Sequence, residues 1–270
     1  TKCRASCTHN CPEHKDVPVT VLADFHTHSC LSPCGDLSMS PRAIAQTLAL
    51  RGVQLAALTD HNSALNCPAF AAAAKEAGIA ALYGIEAQGQ EECHILCLFA
   101  ELQAALALGA ELYALMPPVM NIPEKMGDQV YVDEEENIAG KVDKYLITSA
   151  DIGLDALAER VVTLGGIVIP AHVDRPAFSL TSQLGFIPDG PWAALEVVRI
   201  PSEADTRDYP LITSSDAHYL EYIGRHPFEL DIGNDQLVDA HGKVNLETVQ
   251  KALARRPRRE TPQDRSVRSH

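Results

Sequence analysis

The chain has 270 residues, with 22 Lys and Arg against 36 Asp and Glu and a net charge of −14 when histidine is neutral. That length suits one large domain or two small ones, and a hydrophobic content of 46% excludes wholesale disorder. Residues 255–270 carry six Arg against one Glu and one Asp, which leaves −18 on residues 1–254; a body so acidic repels phosphate backbones and argues against nucleic acid or an anionic membrane as partner.

The head, residues 1–16 (TKCRASCTHNCPEHKD), has no apolar stretch of the kind a secretory signal needs. Its Cys3, Cys7 and Cys11, with His9 and His14, match no standard zinc or iron–sulfur spacing, so a flexible, reduced segment is expected. The most apolar long stretch, residues 95–116, is interrupted by Glu101, Gln103 and Glu111 and is too polar to span a membrane. The expectation is a soluble, cytoplasmic protein whose remaining cysteines (30, 34, 67, 93 and 97) are free thiols or metal ligands.

Residues 17–25 (VPVTVLADF) read as a buried strand. Ser40-Pro41 opens a helix with Ile44, Leu48 and Leu50 on one face, and Gly52 ends it. A short strand at 55–58 runs into Thr59-Asp60-His61, followed by an alanine-rich helix over 68–78 and a strand over 80–86. Residues 94–100 form a further strand and 102–115 a helix, while 127–140 (GDQVYVDEEENIAG) break the rhythm as an excursion or hairpin. A helix at 154–164, strands at 167–171, 194–198 and 211–214, and a helix at 246–254 complete the series. About seven strands alternating with helices predict a parallel α/β sheet or barrel over residues 17–254, with a disordered arginine-rich tail over 255–270.

Six of the eleven histidines fall at or near the ends of these strands: His26 and His28, His61, His94, His172 and His218. Asp24, Asp60, Glu86, Asp174 and Asp216 accompany them. In a parallel barrel the carboxyl ends of the strands converge on one face, where such folds place their chemistry. Imidazole and carboxylate together suit zinc, manganese or iron, and the i, i+2 spacing of His26 and His28 aims both rings at one point. A lone histidine at a strand end is ordinarily a polar side chain satisfied by its neighbours; a run of them at successive strands predicts a metal site.

Asp24-Phe-His26-Thr-His28-Ser, Thr59-Asp60-His61-Asn-Ser, Gly84-Ile-Glu86, His94-Ile-Leu, Pro170-Ala-His172 and Ser214-Ser-Asp216-Ala-His218 resemble, in order and spacing, the motifs of the PHP (polymerase and histidinol phosphatase) superfamily. The resemblance implies a distorted (β/α)7 TIM-like barrel that holds two to three divalent ions at the C-terminal ends of its strands and hydrolyses phosphate esters. It also implies a first metal on His26, His28, Glu86 and Asp216. Glu86 would bridge to a second ion completed by His94 and His172, and a third would use His61, His218 and a ligand from the loop after His28. That loop reads Ser29-Cys30-Leu-Ser-Pro33-Cys34-Gly35-Asp36, with Cys34 where many relatives carry Asp, and Asp36 as its competitor. A thiolate there favours zinc or iron over magnesium or manganese, unless Cys34 merely packs under the loop.

The catalytic set expected on this basis is Glu86, His61, His218 and Asp60, with Asp60 and Asp24 read as acceptors that fix histidine tautomers and His61 or His218 as a general acid if the third ion is absent. Metal-activated water attacking a phosphate ester is the implied reaction. Arg175 and Arg199, just past strand ends, are candidates to hold the phosphate, and residues 179–188 and 127–140 candidates for the pocket wall. The expected substrate is a small phosphorylated metabolite or nucleotide, which the acidity does not exclude, although it disfavours a nucleic-acid polymer. A nuclease or phosphodiesterase acting on nucleic-acid ends and a catalytically silent metal-binding regulatory module are the alternatives.

Overall fold

Residues 19–256 and residue 258 are described by the computed structural model; the cysteine-bearing head and most of the arginine tail lie outside them. In chain order the elements are β1 (Val19–Asp24), α1 (Pro41–Leu50), β2 (Leu55–Leu58), α2 (Cys67–Ala77), β3 (Ala80–Gln88), β4 (His94–Phe99), α3 (Leu102–Leu115), α4 (Pro123–Met126), β5 (Val130–Val132), β6 (Ile138–Lys141), α5 (Leu154–Thr163), β7 (Ile167–Pro170), α6 (Leu180–Leu184), β8 (Leu195–Glu196), β9 (Leu211–Ile212), β10 (Phe228–Gly233) and α7 (Leu246–Ala254). Local chemistry accounts for the helix boundaries. Ser40 accepts a hydrogen bond from Ala43 N with Pro41 in the first turn of α1, and Gly78, at φ 73°, closes α2 in the left-handed conformation that glycine adopts without strain.

Six strands form one sheet in the order β10-β1-β2-β3-β4-β7. β1, β2 and β3 run parallel, β4 is antiparallel to both β3 and β7, and β10 is antiparallel to β1. β8 and β9 form a separate parallel pair, held near β7 by the Val168–Trp192 bridge, while Thr27 just beyond β1 bridges Ala217 beyond β9. The result is an α/β fold with a curled sheet, in place of the expected seven-stranded parallel barrel. The departure has a physical cause: only residues 89–93 separate β3 from β4, and a parallel crossover needs a dozen residues or more, so the two strands turn back as a hairpin. β10, which the sequence reading passed over, alternates buried and exposed residues and covers the outer edge of β1, with the Phe228 ring meeting Phe25 edge-on at 4.9 Å.

Successive residues of the central strands enter different cores. Leu55 and Ala57 join Ala23, Leu82, Leu96 and Ile169 in one cluster, whereas Ala56 and Leu58 join Ile44, Leu48 and Phe70 of α1 and α2 in another. Burial on both faces is what makes these strands uniformly apolar in sequence. β5 and β6 form an antiparallel hairpin tied to α1 through Glu136, which accepts from Arg42 N at 2.7 Å and Ser40 Oγ at 3.0 Å. Among the described residues no helix is long and apolar enough to cross a membrane.

Candidate metal centre

Strand ends deliver the polar side chains to one edge of the sheet. β1 and β2 run out into His26, His28 and His61, β3 carries Glu86 near its end, β7 leads to His172, and β9 leads to Asp216 and His218. His94 belongs to this edge because β4 runs the opposite way, so that its first residue pairs with Gln88 at the end of β3. The backbone is held locally: Thr27 Oγ1 donates to Ala57 O at 2.8 Å, and His28 N to Ala217 O at 3.0 Å. His172 and Asp216 adopt left-handed φ values of 31° and 45°, a strain that persists only where the surroundings impose it and that concentrates at functional sites.

Glu86 is the hub. Its Oε1 lies 2.8 Å from His94 Nδ1, 3.1 Å from His172 Nε2 and 3.2 Å from His26 Nε2; its Oε2 lies 2.9 Å from His61 Nδ1 and 3.3 Å from His28 Nε2. Asp216 Oδ1 sits 3.4 Å from Nε2 of both His26 and His28, and the two Nε2 atoms are 3.1 Å apart. All five rings and Glu86 are buried. Two imidazole nitrogens facing each other at that distance cannot both be lone pairs without repulsion, so the arrangement asks for a cation or protons between them. Glu86 Oε2, His94 Nδ1 and His172 Nδ1 are buried atoms with no hydrogen-bond partner, and two of the three point into the cluster.

The donor set therefore fits divalent ions. Three groups have ligand atoms within 4.8 Å of one another: His26, His28 and Asp216; His61, Glu86 and His94; and His28, His61 and His218. Nitrogen and oxygen donors of this kind suit first-row transition metals and zinc. The electrostatics agree. Burial alone would raise the Glu86 carboxyl, yet the rings of His94, His26 and His61 hold it well below its usual range. Against a burial cost of the opposite sign, Glu196, Glu86 and Asp216 push His26 well above its ordinary value, and Asp216 and Glu86 raise His28 to about 9. Burial dominates at His61 and His218, which fall to about 4 and about 3.

Of the residues anticipated from sequence, His26, His28, His61, Glu86, His94, His172 and Asp216 converge on one point, with His218 at the rim stacked on His28 at 4.2 Å. Asp60 stands one layer back: it accepts from Ser29 N, Ser29 Oγ and Ser32 Oγ, and reaches His28 only through Ser32 Oγ, 3.0 Å from His28 Nδ1. Asp24 holds backbone, accepting from His26 N, Ser215 N and Gly224 N. Cys34 is exposed and belongs to none of the three groups, and Asp36 is turned to Ser38 N at 2.8 Å. Arg175 donates to Asp216 Oδ2 at 2.9 Å, whereas Arg199 lies on the surface beside Glu203.

Two residues at this site escaped the sequence reading. Glu196 faces His26 Nδ1 at 2.9 Å and accepts from His172 N at 3.0 Å, and Gln88 Oε1 lies 3.1 Å from His94 Nε2. The available signal for Glu196 was a single carboxylate inside the otherwise apolar run Ala193–Val198, since a buried charge needs a partner.

Residues 24–114 match the family model of the PHP domain. Over that segment the chain resembles the PHP domain. The matched segment holds His26, His28, His61, Glu86 and His94, and the fold brings His172, Asp216 and His218 to it from outside. No curated protein sequence matches the chain. Among solved structures, it is similar to the lesion-specific endonuclease Q of Pyrococcus furiosus, at 17% identity and a TM-score of 0.60 over 87% of this chain and 56% of that one. Endonuclease Q bound to a 27-mer duplex substrate with an abasic lesion at its active site gives 17% identity and a TM-score of 0.59, again over 87% and 56%. A Bifidobacterium adolescentis protein described as a metal-dependent phosphoesterase gives 18% and 0.51 over 87% of this chain and 96% of that one. The likeness at these identities is one of fold, and the chain spans 56% of the length of endonuclease Q.

The comparison corrects the expectation that acidity argues against nucleic acid, because a protein of this fold takes duplex DNA at its active site. Net charge sums over the whole surface, whereas a substrate meets one face, and bound cations would neutralise the carboxylates there.

Proposed function

We propose that the chain is a metal-dependent hydrolase of phosphate esters. The observation that carries this reading is the Glu86 carboxylate shared among five buried imidazoles, with Asp216 alongside and buried nitrogens that make no hydrogen bond. His26, His28, Glu86 and Asp216 would hold one ion, Glu86, His94 and His172 a second, and His61 and His218 a third with His28 beside them. Zinc, manganese or iron suits these donors better than magnesium. Ions bound there would lower the pKa of water towards neutrality and offset charge developing on phosphoryl oxygens.

The chain's own residues support that chemistry. Glu196 takes the Nδ1 proton of His26 and Ser32 lies at Nδ1 of His28, so both rings present Nε2 to the centre. His218 Nδ1 donates to Asp216 O at 3.0 Å, which leaves its Nε2 as an acceptor and supports a ligand role over that of a proton donor. Arg175, anchored on Asp216, presents a guanidinium beside the metal groups where a phosphoryl oxygen would sit.

The ester could belong to a small phosphorylated molecule or to a nucleic-acid backbone, and the fold shared with endonuclease Q supports the second. The test loads the protein with manganese, zinc or ferrous iron and follows 4-nitrophenyl phosphate, bis(4-nitrophenyl) phosphate and a duplex bearing an abasic site. Turnover abolished by chelation and restored by metal is expected. No turnover of any of the three with any metal would overturn the hydrolase reading and leave a metal-binding module.

A further inference from the structure

The outer ring nitrogens of the two candidate ligand pairs meet different chemistry. Behind the first pair stand carboxylates: Glu196 Oε2 lies 2.9 Å from His26 Nδ1, and Ser32 Oγ, 3.0 Å from His28 Nδ1, donates to Asp60 Oδ1 at 2.7 Å. Glu196 and Asp60 are both buried, so solvent does little to screen their charge. Behind the second pair there is no charge. His94 Nε2 donates to the neutral amide of Gln88, with Oε1 at 3.1 Å, and His172 Nδ1, a buried atom, makes no hydrogen bond.

The sheet explains why an amide stands there. Gln88 ends β3 and His94 opens β4, and the two are direct partners in the antiparallel register, which puts their side chains on one face. The residue is held at both ends: Gln88 Nε2 donates to Ser149 Oγ at 2.9 Å, its N donates to Asn62 Oδ1 at 2.9 Å, and its O accepts from Ala150 N at 2.9 Å. Asn62 is fixed in turn, donating through Nδ2 to Leu146 O at 2.9 Å and Thr148 O at 3.0 Å. With its Nε2 committed to a hydroxyl, Gln88 turns Oε1 to the ring. His94 therefore keeps its proton on Nε2 and presents the lone pair of Nδ1 to Glu86, 2.8 Å away.

We infer that the centre is graded: an ion on His26, His28, Glu86 and Asp216 is held tightly, an ion on Glu86, His94 and His172 is exchangeable, and Gln88 is a positioning residue that helps to set the difference. A carboxylate behind an imidazole makes the ring a stronger donor, whereas an amide orients the ring and adds no charge. The direct ligands act in the same sense, since the first ion has Asp216 as well as Glu86 and the second has a share of Glu86 alone. The inference rests on the ligand sets of the proposed hydrolase and adds a means of regulation to it: with the first ion resident, turnover follows the supply of the second.

The experiment titrates metal-free protein with cobalt(II), read by visible absorption and by competition with a chromogenic chelator. Sites at least about tenfold apart in Kd are expected, the scale on which outer contacts act. Gln88→Glu places a carboxylate behind His94 and should tighten a weaker site by about tenfold, whereas Gln88→Met removes the acceptor and should loosen the same site. Neither should move the tightest site, which Glu196→Gln identifies by weakening it. Tightening on substitution is a result that damage to a merely structural residue does not give. Equal affinity at all sites, no tightening in Gln88→Glu, or a single site answering to both Glu196 and Gln88 overturns the inference. Hydrolysis of 4-nitrophenyl phosphate and bis(4-nitrophenyl) phosphate is followed in the same titration. Graded binding with no turnover counts against the hydrolase reading and leaves the gradation standing, whereas turnover with equal sites refutes the gradation alone. If no cobalt binds, both fail.

Discussion

The Glu196 carboxylate lies 2.9 Å from Nδ1 of His26, and the same Oε2 atom accepts from His172 N at 3.0 Å. One buried side chain thereby fixes the tautomer of one candidate ligand and the backbone of another. Outer contacts of this type tune metal affinity by about 10–100-fold. Glu196→Gln should weaken binding of the ion held by His26, His28 and Asp216 by that order. Competition with a chromogenic chelator measures it, and unchanged affinity would remove Glu196 from the site.

Glu86 is central to all proposed ion positions but the outermost. Glu86→Gln keeps the shape and removes the charge that five imidazoles share. Bound metal per chain should fall and hydrolysis disappear, while circular dichroism stays that of the wild type. Chelation should lower the Tm of the wild type and leave that of the variant unchanged, because ligand binding stabilises the folded state. A variant with full metal content would refute the hub role.

Arg175 contributes a charge-assisted hydrogen bond beside the metal groups. Such contacts are worth about 1.5–3 kcal/mol, so Arg175→Ala should raise KM for phosphate esters by roughly ten- to a hundredfold. Lysine lacks the fork geometry and should recover only part of this. An unaltered KM in Arg175→Ala excludes a phosphate contact.

Cys34 is exposed and stands apart from the His28, His61 and His218 group, and desolvation by the surrounding protein together with the Glu86 charge pushes its thiol up to about 12. Three imidazoles then suffice for that ion, and Cys34→Ser should leave metal stoichiometry as it is. Elemental analysis of purified protein checks this; loss of one ion would instead make the thiolate a ligand.

Gly84, two residues before Glu86, has no room for a side chain: a Cβ there would come within 2.7 Å of Thr59 Cγ2 and 2.8 Å of Leu98 Cδ2. Overpacking of this sort costs about 1–3 kcal/mol. At about 2–4 °C per kcal/mol for a domain of comparable size, Gly84→Ala should lower Tm by several degrees, with weaker metal binding as Glu86 shifts. An unchanged melting curve would show that β3 yields freely.

How much could be read in advance depended on how far each feature is determined by neighbours in sequence. β2 at Leu55–Leu58, α3 at Leu102–Leu115 and α7 at Leu246–Ala254 were legible because apolar periodicity and capping residues act over a few positions. β10 was missed because a half-exposed edge strand carries a weaker apolar signal, and its place is decided by the free edge of β1. Net charge misled on nucleic acid for a related reason: it records composition and is silent about which face the charges occupy.

The sequence by itself determined the ligand types and their i, i+2 spacing, since strand periodicity alone puts His26 and His28 on one side. Tertiary structure decided which of them meet. The reversal of β4 brings His94 to the same edge as His61, left-handed backbone at His172 and Asp216 turns those side chains inward, and Glu196 reaches His26 across 170 positions of chain. Direction, strain and long-range contact are properties of the folded sheet, and no local pattern encodes them.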